Sequence, residues 1–252
     1  MQKLIIANWK MQKSHNESVS WCLEHAQELQ NLIQYSSITF ALCPSFTVLS
    51  QLPTLCNTNI IKIGAQDCGF KDIGPYTGDI SVKSLQELGC SYCIIGHSER
   101  RLYHHESLQS VAQKAYLLIA YNITPIVCIG ETAQEHINGS TISVIIEQLK
   151  PVAEKIRQHT DELYVAYEPV WAIGTGKIPE NSQLETICQT LHVYIQEHYP
   201  ELKLKILYGG SVTEQTLEQF KKISALDGFL LGKASLDFQT LKKIVVLYKE
   251  LF

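Results

Sequence analysis

No stretch of this sequence approaches the about 18 consecutive apolar residues that a membrane-spanning helix requires. Nor is there an excess of positive charge, since 21 Lys and Arg stand against 25 Asp and Glu, for a formal charge of −4. That balance argues against nucleic-acid and anionic-membrane partners, so any phosphate chemistry must rely on local donors. No Gly-x-Gly-x-x-Gly follows the first apolar run, which disfavours a doubly wound dinucleotide fold. Gly174-Thr175-Gly176-Lys177 is not a P-loop, because Trp171 stands where its first glycine belongs and Ile178 where Ser or Thr is needed. No His, Cys, Asp and Glu spacing marks a metal site. No Ser/Pro-rich linker or break in composition divides the chain, so the expectation is a single domain over residues 1–252. The opening residues Met1 to Lys10 hold too short an apolar stretch for a secretory leader, and the expected compartment is the cytosol.

What is present is a large apolar fraction, 45%, enough for a sizeable core. Eight cysteines are part of it. Cys43, Cys90, Cys93 and Cys128 fall in apolar runs, where cysteine acts as a small hydrophobe. Cys90-Ser91-Tyr92-Cys93 has redox spacing but enters a strand instead of opening a helix, so a redox or zinc role is disfavoured.

Short β-branched runs recur at residues 4–8, 38–43, 60–65, 92–96, 123–129, 163–168, 204–209 and 228–232. They are continuous, as parallel strands buried on both faces should be. Helix-compatible stretches lie between them at 17–34, 106–121, 141–159, 182–198 and 213–222, with shorter ones near 46–52 and 81–88. Eight strands alternating with helices predict an α/β chain folded as one (β/α)8 barrel.

In such a barrel the active site lies at the C-terminal strand ends. That condition gathers Asn8, Lys10, Gln66, His97, Glu99, Glu131 and Glu168, with the loops at Gly209-Gly210-Ser211 and Gly232-Lys233, into one mouth. Glu168 ends an apolar run, and Pro169 after it biases its backbone towards extended geometry. The following residues, Val170 to Lys177, carry two glycines and a lysine and read as a flap able to bring N–H groups over an anion. His97 directly follows a strand and precedes an expected helical turn, whose positive dipole end favours a neutral imidazole. The other histidines, His136 among them, lie on helices or their flanks and read as solvated surface. Lys10 aims an ammonium into the mouth. The glycines after the seventh and eighth strands let backbone N–H groups approach a phosphate.

Five segments together resemble the triosephosphate isomerase family. They are Ala7-Asn8-Trp9-Lys10-Met11, Gly96-His97-Ser98-Glu99-Arg100-Arg101, the run from Ala166 to Lys177, Leu207-Tyr208-Gly209-Gly210-Ser211-Val212, and Asp227-Gly228-Phe229-Leu230-Leu231-Gly232. The resemblance implies interconversion of dihydroxyacetone phosphate and D-glyceraldehyde 3-phosphate without a cofactor. It implies Glu168 as the base, neutral His97 as the electrophile, Lys10 as a fixed positive charge and Asn8 as an orienting group. A glutamate base working with a neutral histidine is this family's own well-known arrangement, so it comes with the resemblance and not from residue spacing. Backbone N–H groups of Gly174, Ser211, Gly232 and Lys233 would hold the phosphate, while Glu99 and Tyr208 would support the site from behind. The segment from Gly74 to Ser81 resembles the family's long third loop, which implies a homodimer with Thr77 against the neighbouring subunit. Lys233 stands where the family has a second glycine, Gln12 replaces the usual Asn, and the flap hinge at Lys177-Ile178-Pro179-Glu180 is shortened. Two competing readings are another phosphosugar barrel enzyme and a barrel kept only for binding. The first needs a different base, and the second should have lost Lys10, His97 or Glu168.

Overall fold

In the computed structural model, which describes residues 3–251, the eight apolar runs form a closed barrel of eight parallel strands in sequence order. The first half contains β1 (Lys3–Asn8), α1 (His15–Ile33), β2 (Ile38–Cys43), α2 (Phe46–Leu49), α3 (Leu52–Leu55), β3 (Ile61–Ala65), α4 (Val82–Glu87) and β4 (Cys90–Ile95). It continues through α5 (Ser98–Tyr103), α6 (Leu108–Ala120), β5 (Thr124–Ile129), α7 (Ala133–Ile137), α8 (Thr141–Ile156) and β6 (Glu162–Tyr167). The last part contains α9 (Asn181–His198), β7 (Lys203–Tyr208), α10 (Glu214–Phe220), β8 (Gly228–Leu231) and α11 (Phe238–Leu251). Single 3-10 turns follow β6 at Val170–Ala172 and β8 at Lys233–Ser235.

Side-chain alternation along the strands explains both the core and the mouth. Leu4, Ile6, Ala41, Cys43, Ile94, Ile126, Cys128, Ala166, Leu207 and Leu230 make one buried cluster, the filling of the barrel. Their neighbours, such as Ile5, Ala7, Phe40, Val127, Val165 and Ile206, belong to a second cluster shared with the helices. Carried one step beyond the filled layer, the inward phase reaches Asn8, Gln66, Gly130, Glu168, Gly209 and Gly232. The barrel therefore aims these positions into one opening.

The helices close the outer layer for ordinary reasons. Ser14 caps α1 by accepting the Glu17 N–H at 3.3 Å, and Glu17 accepts the Ser14 N–H at 2.7 Å. Such a cap is worth about 1 kcal/mol. Trp21, Cys22, Ala26, Leu29 and Ile33 line its buried face. Several elements depart from the sequence reading, α7 among them, since no helix is expected at Ala133–Ile137. β4 begins at Cys90, where the register with β3 shifts between Ile63 and Gly64. α11 lies beyond the helices expected from sequence, although Phe238, Leu241, Ile244, Val245 and Tyr248 carry a helical apolar period and are buried.

All eight cysteines are free and buried. Burial pushes the Cys90 thiol up to about 12 and Cys93 well above its usual range, so this pair is inert filling.

Candidate active site

Glu168 sits one residue past β6 and is only 2% exposed. Its N–H donates to Ile129 O at 2.7 Å, which ties the strand end to β5. Two glycines make room for it. A Cβ at Gly130 would lie 1.8 Å from Glu168 O, and one at Gly209 would lie 2.8 Å from Glu168 Cγ. Its Oε2 accepts the Ser98 N–H at 3.2 Å, and its Oε1 lies 3.1 Å from His97 Nε2. Burial pushes the carboxyl upward, but His97, the Ser98 N–H and Lys10 outweigh it, so the net shift is downward. The group is therefore an ionised carboxylate at neutral pH.

His97 caps α5, with Nδ1 accepting the Glu99 N–H at 3.2 Å. A fixed backbone donor at Nδ1 leaves the proton of a neutral ring on Nε2, the atom that faces Glu168. Burial lowers the proton affinity of the ring, and Glu168 more than reverses this, so the net shift is upward in the ligand-free site. Those two observations pull in opposite senses, since a donor at Nδ1 opposes a second ring proton. The carboxylate at 3.1 Å is the stronger influence as long as it stays there. Apart from that carboxylate, burial, Lys10 and the helix end favour the neutral ring, while Glu99 favours the charged one.

Lys10 adopts a positive φ of 52°, unusual for a residue other than glycine, at the end of β1. Its N–H donates to Asn8 Oδ1 at 3.0 Å, and Gln66 Nε2 donates to Lys10 O and to Cys43 O at 2.9 Å each. Its Nζ pairs with Glu99 Oε1 at 2.6 Å. A Cβ at Gly232 would meet Lys10 Cε at 3.5 Å, so the ammonium stem runs beside the loop after β8. Trp9 Nε1 donates to Ser235 O at 3.1 Å and locks that loop to β1.

Gly174 and its neighbours through Lys177 are exposed, and a Cβ at Gly174 would meet nothing within 4 Å. The tip of the flap is therefore exposed. At its base Ser211 Oγ donates to Ala172 O at 3.0 Å, and Trp171 Nε1 donates to Glu131 Oε1 at 2.8 Å. The Tyr208 hydroxyl is buried without a hydrogen-bond partner, and Pro179 is buried at the far hinge. Gly232 precedes the 3-10 turn that begins at Lys233.

The structure thus brings together Asn8, Lys10, Gln66, His97, Glu99 and Glu168, and puts Gly232 beside Lys10. Thr77 lies apart, exposed on the loop after β3. Three supports carry no mark in the sequence reading. Arg101 donates to Gly96 O at 2.8 Å and Cys128 O at 3.0 Å, joining the ends of β4 and β5. Gln148 on α8 donates to Gly130 O at 2.9 Å and accepts the Gly130 N–H at 2.8 Å. His136, expected on the solvated surface, instead stacks on Trp171. Only the capping box of Thr132 and Glu135, which starts α7 just before it, is visible as a local signal.

A family model described as triosephosphate isomerase matches residues 3–248. A triosephosphate isomerase from Aquifex aeolicus is 39% identical over 256 residues, covering 97% of this chain and 99% of the relative. One from Endomicrobium trichonymphae is 38% identical, covering 96% of this chain and 97% of the relative. One from Thermus thermophilus is 36% identical, covering 95% and 96% respectively. With a strand-end glutamate and histidine in contact at the barrel mouth, and with similarity along nearly its whole length, the chain belongs to the triosephosphate isomerase family.

Proposed function

We propose that this chain interconverts dihydroxyacetone phosphate and D-glyceraldehyde 3-phosphate with Glu168 as the base. The observation that carries this reading is a buried carboxylate at a barrel mouth, held by His97 Nε2 at 3.1 Å and the Ser98 N–H at 3.2 Å. Substrate takes the place of those restraints. Glu168 then removes a proton from the carbon beside the carbonyl, giving an enediolate and a protonated carboxyl. Neutral His97 donates from Nε2 to one enediolate oxygen and recovers a proton from the other. Glu168 returns its proton to the neighbouring carbon, so the atoms balance within one substrate and no cofactor is consumed.

Lys10 supplies positive charge near the developing oxyanion, and its pairing with Glu99 keeps the ammonium in place. Asn8 fixes the strained backbone of Lys10 through its side-chain oxygen. The N–H groups of Gly174, Ser211, Gly232 and Lys233 are assigned to the phosphate dianion, with Gly174 arriving as the flap closes. Closure excludes water and holds the phosphate in place while the enediolate exists.

A homodimer is part of the proposal. Phe70, Ile73 and Tyr76 on the long loop are exposed, as are Met11, Leu102 and Tyr103 around the mouth. A second copy would cover this apolar surface, with Thr77 as the contact nearest the neighbouring site. The expected setting is the cytosol, in glycolysis and gluconeogenesis; among the described residues no helix is long and apolar enough to cross a membrane.

The test is isomerisation in deuterium oxide. Deuterium should enter the carbon beside the carbonyl in the product, and Glu168→Gln should abolish both turnover and exchange. Retained exchange in that variant would remove Glu168 from the role of base.

A further inference from the structure

The hinge of the flap is fastened to a carboxylate that has no access to solvent. Glu131 is 0% exposed, and Trp171 Nε1 donates to its Oε1 at 2.8 Å. The Tyr167 hydroxyl lies 3.1 Å from each of its oxygens, and burial beside Glu131 pushes that phenol well up, so it stays a donor. Val170 N–H also donates to Glu131 O at 3.1 Å. The carboxylate is therefore a fixed anchor, and the indole is the part attached to a mobile segment.

His136 of α7 lies on this indole, with ring centroids 4.5 Å apart and planes at 29°. Its Nδ1 is buried and makes no hydrogen bond, yet it lies 3.4 Å from the same Oε1 that Trp171 holds. Two ring nitrogens face one oxygen, and of the two only the indole N–H bonds it. Nothing in the proposed reaction uses His136.

We propose that His136 is a positioning residue for flap closure, its Nδ1–H taking over Glu131 Oε1 as the Trp171 indole leaves. The inference rests on the proposed function, because closure is what moves the hinge. Gly174, three residues beyond Trp171, has open space around its Cα, and in the proposed function it reaches the phosphate as the flap closes. Rotation of the hinge strains the indole bond, and a buried carboxylate that loses a donor destabilises the closed state. His136 needs to approach by only a few tenths of an ångström to reach ordinary hydrogen-bond distance. Its backbone is held for this, since α7 starts at a capping box in which Thr132 and Glu135 bond each other and the His136 N–H donates to Thr132 O at 2.9 Å. The donor exchange lets the hinge move while Glu131 stays in place.

The test separates the donor from the ring. His136→Phe keeps the stacking and removes the donor, whereas His136→Asn puts an amide N–H near the position of Nδ1. Steady-state isomerisation and the release of inorganic phosphate by elimination from the enediolate are measured together. His136→Phe should lower kcat about tenfold with KM within about twofold, the equivalent of one hydrogen bond lost only on closure. Phosphate release per isomerisation should rise, because the flap grips the leaving group less often. His136→Asn should restore kcat to within about threefold of the original. Equal impairment of both variants, or an unimpaired His136→Phe, would overturn the proposal. A closure readout independent of catalysis is fluorine NMR of 5-fluorotryptophan-labelled protein titrated with inorganic phosphate. The phosphate midpoint read at Trp171 should rise about tenfold in His136→Phe, and an unchanged midpoint would also overturn it. Failure of the original chain to isomerise would sink the functional reading, while this titration would still decide the role of His136.

Discussion

His97 Nε2 and Glu168 Oε1 lie 3.1 Å apart, so the proposed electrophile and the proposed base hold each other. Each is nearly fully buried, and each would be costly to bury alone. The contact keeps the carboxylate ionised and its position fixed, and it also ties the protonation of one group to the location of the other. Substrate binding must separate the two, which turns a resting pair into an acid and a base with different targets.

From this pair follows a titration behaviour. Glu168 raises the proton affinity of His97 against the opposing effect of burial. Nitrogen-15 shifts of the ligand-free protein should show His97 titrating above the ordinary value of about 6.5. In Glu168→Gln the main upward cause is gone; Glu99 still raises the ring, but burial and Lys10 oppose it, so the midpoint should fall from that of the original protein. By linkage, the raised value stabilises the fold fully below about pH 6.5 and that contribution is lost as pH rises through the folded midpoint. Glu168 acts in the opposite sense, adding stability above its ordinary value and losing it as pH falls. Identical His97 titrations in the two proteins would contradict the coupling.

Gly209→Ala should leave the barrel folded and impair the chemistry. The added Cβ would stand 2.8 Å from Glu168 Cγ, and the side chain must shift to relieve it. A displacement of about 1 Å at a base costs on the order of a hundredfold in kcat, roughly 2.7 kcal/mol. Steady-state kinetics beside a circular dichroism melt would check this, and an undiminished kcat would mean that Gly209 does not set the position of the base.

How much of this is legible in the sequence depends on the period of the pattern involved. Continuous β-branched runs announce the strands, and strand ends then gather Asn8, Lys10, His97 and Glu168 at one mouth, although inward alternation by itself reaches Asn8 and Glu168 and passes through Gly96, not His97. α11 escapes notice because its apolar period lies beyond the last glycine-rich loop and carries no chemistry to draw attention to it. His136 and Arg101 are out of reach for another reason. Their partners, Trp171 in the turn after β6 and Cys128 O in β5, lie about 30 residues further along the chain, and only the parallel pairing of neighbouring strands brings them together. A histidine on a short helix has no local signal that separates a solvated ring from a stacked one.

Thr77→Arg should yield monomers with much weaker activity. Thr77 is exposed on a loop that also exposes Ile73 and Tyr76, and a bulky charge there would block its packing against a second copy. Sedimentation velocity and activity measured on the same sample decide it. An intact, fully active dimer would remove this loop from the interface.

Tyr208→Phe should cost less than about tenfold in kcat, because its buried hydroxyl should find no backbone N–H to bond on closure. The shortened hinge puts Pro179, which has no N–H, where a partner on closure would be sought. Comparing isomerisation with phosphate elimination in this variant measures what the hydroxyl does for the flap. A loss above a hundredfold would show that it latches the lid by some other donor.

The most direct test of Glu168 as the base of a triose phosphate isomerase is a coupled assay on the purified chain and on Glu168→Asp. The original chain should convert both triose phosphates rapidly. The variant should lose about a hundredfold or more with the fold intact, because shortening the side chain withdraws the carboxylate by roughly 1 Å. No conversion of either triose phosphate at micromolar enzyme, or an unchanged turnover in Glu168→Asp, would contradict that assignment.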